Sequence, residues 1–177
     1  MARKPIRKDK KKNKKVKRLP LRQNVCMFVI NKKGEIFLGE RLGEPGVWQL
    51  PQGGVEKEFS IEENVIRELN EELGAPVRCF QIIKRLKGRF RYLWRTPPKY
   101  AKGRWRGQSQ TFWLVKFIGR NSDITLKGEP QEFSSWMWCA PSQIRLLAEP
   151  KRMKGYSAPL KEVVRCITTS SKQVAHR

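Results

Sequence analysis

Arg67-Glu68-Leu69-Asn70-Glu71-Glu72-Leu73-Gly74 is the most constrained stretch of this chain. Glu68, Glu71 and Glu72 stand at i, i+3 and i+4, so a helix makes them neighbours on one face. Like charges at that spacing repel by about a few tenths of a kcal/mol per pair, and a divalent cation among them turns repulsion into attraction. The segment before it reads as a helix start. Ser60-Ile61-Glu62-Glu63 has the form of a capping box, in which serine and a glutamate three residues on satisfy the first free amides. From Ser60 onward, Ile61, Val65, Leu69 and Leu73 recur as the expected buried stripe, Gly74 supplies a left-handed stop and Pro76 bars continuation. One face is expected to pack and another to carry acid; the alternative for the acid face is simple solvation.

Upstream, Trp48-Gln49-Leu50-Pro51-Gln52-Gly53-Gly54 ends in paired glycines, which let backbone approach an ion or phosphate closely. Loop and helix together resemble the Nudix hydrolases. Their signature is a glycine, five residues, a glutamate, seven residues, then Arg-Glu-apolar-any-Glu-Glu-any-Gly-apolar. Gly53, Arg67, Glu68, Leu69, Glu71, Glu72, Gly74 and Ala75 fall in register, whereas Phe59 stands where the signature has its first glutamate. In the family that glutamate pairs with the signature arginine, so Arg67 needs Glu56 or Glu58 as a substitute.

Coarse periodicity places strands at residues 24–30, 35–38, 80–83, 110–117 and 135–139, around the acidic helix, with a closing helix at 157–168. That pattern supports a mixed α/β domain. The resemblance implies the rest: an α/β/α sandwich with a mixed sheet, as one domain over residues 21–169, between a basic tail at 1–20 and a flexible one at 170–177. Its likeness runs from about Leu21 to Val164 and is closest to bacterial RNA pyrophosphohydrolases and the related dinucleoside polyphosphate hydrolases. Leu21-Arg22-Gln23-Asn24-Val25, Gly107-Gln108-Ser109-Gln110-Thr111-Phe112-Trp113 and Pro130-Gln131-Glu132-Phe133 carry it outside the signature.

By that resemblance, Glu68, Glu72 and the carbonyl of Gly53 hold magnesium or manganese, and Glu71 and Glu132 complete two or more metal sites when substrate binds. Either Glu71 or Glu132 takes the proton from the attacking water, and Arg67 steadies the loop. Arg22, Arg41, Gln52 and Lys151 are the expected phosphate and substrate contacts, with surface salt bridges as the alternative for the two arginines. Tyr92 is a nucleotide contact or a packed strand tyrosine. Pro150 occupies the position of a base-stacking phenylalanine.

Composition narrows the chemistry. The only histidine is His176, so histidine catalysis is not expected, and Cys26, Cys79, Cys139 and Cys166 form no metal or redox pair. No apolar run reaches the roughly 20 residues of a membrane span, and the thiols suit a reducing compartment, so a cytoplasmic location is expected. The first eighteen residues hold eleven Lys or Arg against Asp9 alone; they supply +10 of the +23 net charge and leave +13 elsewhere. Both tail and domain therefore should attract polyanions. Triphosphorylated RNA is the preferred substrate, diadenosine tetraphosphate the second, and a non-catalytic RNA-binding protein the reading from another class. Trp105, in the basic loop Lys99-Tyr100-Ala101-Lys102-Gly103-Arg104-Trp105-Arg106, is the tryptophan best placed for nucleic acid.

Overall fold

Strand β1 (Leu21–Ile30) is buried from Asn24 to Val29, and its side chains alternate between two separate cores. Val25, Met27 and Val29 face one cluster, while Cys26 and Phe28 face another. Period-two alternation with both faces apolar requires a covering layer on each side. The computed structural model, which describes residues 19–175, supplies those layers.

The sheet is mixed. Antiparallel to β1 run β2 (Ile36–Arg41) and β4 (Gln52–Gly54), whereas β7 (Gly107–Phe117) lies parallel to it with Leu21 opposite Gly107 and Ile30 opposite Lys116. Strands β3 (Trp48–Gln49) and β8 (Phe133–Cys139) pair with β2, and β5 (Phe80–Arg85) and β6 (Phe90–Leu93) pair with β7. Helix α1 (Ile61–Leu73) covers one face through Val65, Leu69 and Leu73. A single turn, α2 (Ile144–Leu147), leads into α3 (Pro150–Ala175), which covers the other face through Tyr156, Leu160 and Val163. The expected α/β/α sandwich with a mixed sheet is what the chain forms.

Local signals around α1 hold. Ser60 Oγ accepts from Glu63 N at 3.2 Å and Glu63 returns a bond to Ser60 N at 2.7 Å, closing the capping box. Gly74 ends the helix at φ 65°. One member of the stripe departs: Ile61 is exposed, because the first turn projects past the sheet, and burial begins at Asn64 and Val65.

Other boundaries differ from the periodic reading. Strands β3 and β4 are too short to show periodicity and exist through their pairing with β2 and β1. The alternation of Phe90 and Tyr92 proves to be strand β6. Helix α3 begins seven residues before the expected 157 and runs to Ala175, into the segment expected as a tail. Pro150 suits its first turn, and inside it Pro159 forgoes one bond to the carbonyl four residues back. Burial of Tyr156, whose ring meets Phe28 edge-on at 6.1 Å, offsets that loss. At Gly155 a Cβ would come within 2.7 Å of the Phe90 ring, so glycine lets α3 lie against β6.

Cys26, Cys79 and Cys139 are buried free thiols and Cys166 is half-buried. No helix among the described residues is long and apolar enough to cross a membrane. Residues 1–18 of the basic tail and His176 lie outside the described residues.

Candidate active site

The register of β1 with β4 sets Gly53 and Gly54 opposite Val25 and Asn24, beneath α1. Both glycines are required by close approach. A Cβ on Gly53 would fall 1.7 Å from the Glu68 carboxyl carbon, and one on Gly54 would fall 1.8 Å from an Arg22 guanidinium nitrogen. Acid and base are thus pressed against the same three-residue strand from two sides.

The helix face is graded rather than uniform. Glu72 is almost fully buried and accepts the Gln52 amide at 3.0 Å. Burial pushes its carboxyl well above the ordinary range, and the neighbouring Glu132 and Glu68 push the same way. Glu68 is also buried and is raised to about 6, by burial first, with Arg67 opposing. Glu71 is the exposed member.

Arg67 binds these acids. It donates to Glu68 at 2.6 Å, to both Glu71 oxygens at 2.9 and 3.0 Å and to the Gly54 carbonyl at 3.1 Å. Where Phe59 replaces the signature glutamate, two weaker contacts stand in: Glu56 approaches Arg67 at 3.6 Å, and the Phe59 ring centroid lies 5.9 Å from the guanidinium carbon. Asn64 completes the loop. Its side chain, wholly buried, donates to the carbonyls of Glu56, Phe59 and Ser60 and accepts the Glu56 amide at 2.9 Å. The sequence reading passed over Asn64; an asparagine at a buried helical position, four residues after a cap, was the signal available.

These groups open onto a cleft of about 540 Å³. Its lining includes the acids Glu68, Glu71, Glu72 and Glu132 and the bases Arg22, Arg41 and Arg152. Tyr92, Trp94 and Tyr100 form an aromatic side, and Gln52, held by Gln110 at 2.6 Å, lies between. Every expected site residue except Lys151 lines this cleft. Lys151 is exposed and outside it; one residue on along α3, Arg152 lines the cleft, tied to Glu149 at 3.0 Å. Arg41 makes both of its expected contacts possible, lining the cleft and pairing with Glu44 at 2.7 Å. Tyr92 likewise combines its two readings: its ring packs against Phe90 at 5.7 Å in a tilted arrangement, its hydroxyl donates to Gln108, and it lines the cleft.

The donor set suits hard divalent cations, which prefer carboxylate and carbonyl oxygens. Glu68 against the Gly53 backbone, and Glu72 buried among other carboxylates, are groups that a cation would relieve. The Gln49 side-chain oxygen, buried at the cleft with no hydrogen-bond partner, adds a polar acceptor. Among the described residues no three acid, cysteine or histidine side chains form a ready cage. Arg67 pairs with both Glu68 and Glu71, so it shares their oxygens.

Comparison with known proteins agrees with this layout. The NUDIX domain family matches residues 20–160. An RNA pyrophosphohydrolase of Orientia tsutsugamushi is 35% identical over 159 residues, covering 87% of this chain and 95% of its own. One of Roseobacter denitrificans is 38% identical over 126 residues, covering 70% and 79%. Among solved structures, a C. elegans Ap4A hydrolase complex superposes with TM-score 0.59 at 19% identity over 82% of this chain and 98% of its own. The E. coli dihydroneopterin triphosphate pyrophosphohydrolase gives 0.60 at 11% identity, over 86% and 99%. At those identities the structures speak for the fold alone. With the signature in register, the glycine loop under the acidic helix and the family match across most of its length, the chain belongs to the Nudix hydrolase family.

Proposed function

We propose that this protein removes pyrophosphate or phosphate from the 5′-triphosphate end of RNA. The observation that carries the reading is a cleft lined by Glu68, Glu71, Glu72 and Glu132 and by Arg22, Arg41 and Arg152, with Glu68 and Arg22 pressed against the adjacent glycines Gly53 and Gly54. Nudix hydrolases generally use divalent metal ions, and magnesium or manganese fits the oxygen donors here. Glu68, Glu72 and the Gly53 carbonyl would hold the ion, with Glu71 and Glu132 completing further sites as substrate arrives. Bound metal supplies charge neutralisation and an acidified water.

The remaining steps belong to the side chains. Arg22, Arg41 and Arg152 bind and orient the phosphate chain, since planar guanidinium groups match phosphate oxygens in pairs. Gln52 and Tyr92 flank the nucleotide. A carboxylate accepts the proton of the attacking water; Glu71 and Glu132 both remain suitable, and distance to that water separates them. Arg67, which donates to the Gly54 carbonyl, steadies that loop. Relatives named RNA pyrophosphohydrolase support this substrate, and so does the surplus positive charge outside the cleft.

The aromatic side formed by Tyr92, Trp94 and Tyr100 favours one second reading, hydrolysis of a dinucleoside polyphosphate whose far nucleoside rests there. One assay decides. Phosphate or pyrophosphate release is measured from triphosphorylated RNA and from diadenosine tetraphosphate, with magnesium or manganese, for the parent and Glu72→Gln. RNA turned over with the higher kcat/KM supports the first reading, and the reverse order supports the second. Turnover of neither above the variant, with RNA binding intact, would leave an RNA-binding protein with an impaired site.

A further inference from the structure

The segment 94–106 between β6 and β7 carries Arg95, Lys99, Lys102, Arg104 and Arg106 and no acid. It is anchored. Trp94 N bonds to Arg106 O at 3.1 Å, Trp105 N to Ala101 O at 3.1 Å and Arg106 N to Pro20 O at 3.0 Å, around a fully buried Ala101. On this frame planar groups follow one another. The Arg104 guanidinium carbon lies 4.3 Å from the Trp105 ring centroid, and that of Arg22 lies 5.6 Å from Trp105 and 5.0 Å from Tyr100. Tyr100 then meets Trp94 edge-on at 6.1 Å. The row leads from outside the cleft, at Arg104 and Trp105, to its wall, at Arg22, Tyr100 and Trp94.

Two observations argue against a purely internal role. Tyr100 is 52% exposed, so its ring is not there to fill the core. Among the described residues Arg95, Lys99, Lys102 and Arg104 form no ion pair with an acid, which leaves their charge open to an anion from outside.

We propose that this row is a track for single-stranded RNA, taking the nucleotides that follow the 5′ end while the triphosphate occupies the cleft. It rests on the RNA reading of the site. Bases stack on aromatic faces and on guanidinium planes, and loop cations meet the phosphates between them. Continuity with the cleft sets the direction, since Arg22 is shared by both.

Binding and turnover test it separately. Anisotropy with a 3′-labelled single-stranded RNA of about twenty nucleotides, longer than one stacking site, is compared for the full chain, Trp105→Ala, Trp105→Phe and Arg104→Glu. Kinetics are run on the same RNA bearing a 5′-triphosphate and on a triphosphorylated dinucleotide. Loss of one stacking platform is expected to raise Kd and KM on the long RNA by about fivefold or more, with Trp105→Phe near the parent and the dinucleotide changed by less than about twofold. Arg104→Glu, a surface change, is expected to act the same way without altering the melting temperature. Equal losses on both RNAs would mean that the row only positions Arg22, and unchanged binding in both variants would mean that no track exists; either result overturns the proposal. If the parent cleaves neither RNA while the variants still lose binding, the hydrolase reading falls and the track stands.

Discussion

Helix α1 with its glycine strand and the segment 94–106 are built on opposite principles. In the first, polar groups are buried and bonded several times over: Asn64 makes bonds to three carbonyls and an amide, and Arg67 reaches Glu68, Glu71 and Gly54. In the second, Arg95, Lys99, Lys102 and Arg104 form no ion pair among the described residues and accompany partly exposed rings. Charge held in a dry, over-determined frame suits bond breaking, because position and field are set before substrate arrives. Charge left open to water suits gripping a long flexible polyanion, whose binding is salt-dependent and tolerant of sequence. Under the proposed function, one region serves chemistry and the other hold.

The largest expected effect tests the buried region. Glu72→Gln should lower kcat by about 100-fold to 1,000-fold, on the scale of removing one preorganised electrostatic group. The same variant should be more stable than the parent at neutral pH without added metal. Burial raises the folded-state pKa of Glu72 well above 4.5 and that of Glu68 to about 6, so their contribution to stability is full at low pH and is lost as pH rises through those values. The gap in melting temperature between variant and parent should therefore widen from about pH 5 to about pH 8. Calorimetric melts across that range check it, and a gap that is flat or closes would show that the carboxylates are not strained by burial.

Arg22 joins the two regions, and Arg22→Lys should be intermediate. Losing a bidentate phosphate contact and a stacked plane together should reduce kcat/KM by about tenfold to a hundredfold. Similar kinetics for Lys and Arg would imply that charge alone matters there.

Phe59→Glu should have a smaller effect. A carboxylate beside Arg67 would compete with Glu68 and Glu71 for its donors, freeing both for metal, so manganese should bind more tightly by about twofold to fivefold. Titration calorimetry measures this independently of turnover. Unchanged affinity would show that Glu56 and the Phe59 ring already do the work of the missing acid.

Deleting residues 1–18 should be the mildest change to chemistry. The salt slope of RNA binding should fall, in proportion to the phosphate contacts removed, while turnover of diadenosine tetraphosphate stays within about twofold of the parent. Equal losses on RNA and dinucleotide would blur the division between hold and chemistry.

The acidic helix was legible because every signal in it is local. The capping box of Ser60 and Glu63, the left-handed Gly74 and the stripe of Val65, Leu69 and Leu73 depend on residues within four or five positions, and all appear in the fold. The i, i+3, i+4 spacing of Glu68, Glu71 and Glu72 likewise needed no partner to be read. Ile61 was misjudged because periodicity says which residues share a face, not where the sheet beneath them ends.

What only tertiary structure decided are the contacts between distant segments. Strands β3 and β4, two and three residues long, owe their existence to pairing with β2 and β1. That Arg152 rather than Lys151 lines the cleft follows from where α3 begins, seven residues earlier than its apolar stripe suggested. The approach of Arg67 to the Gly54 carbonyl, and the meeting of Arg22 with Tyr100 and Trp105, are set by packing between separate segments. Helix periodicity and capping arise within a few residues of backbone geometry, so the sequence alone determines them. Side-chain partnership between elements depends on the register and packing of the closed fold, which no local pattern encodes.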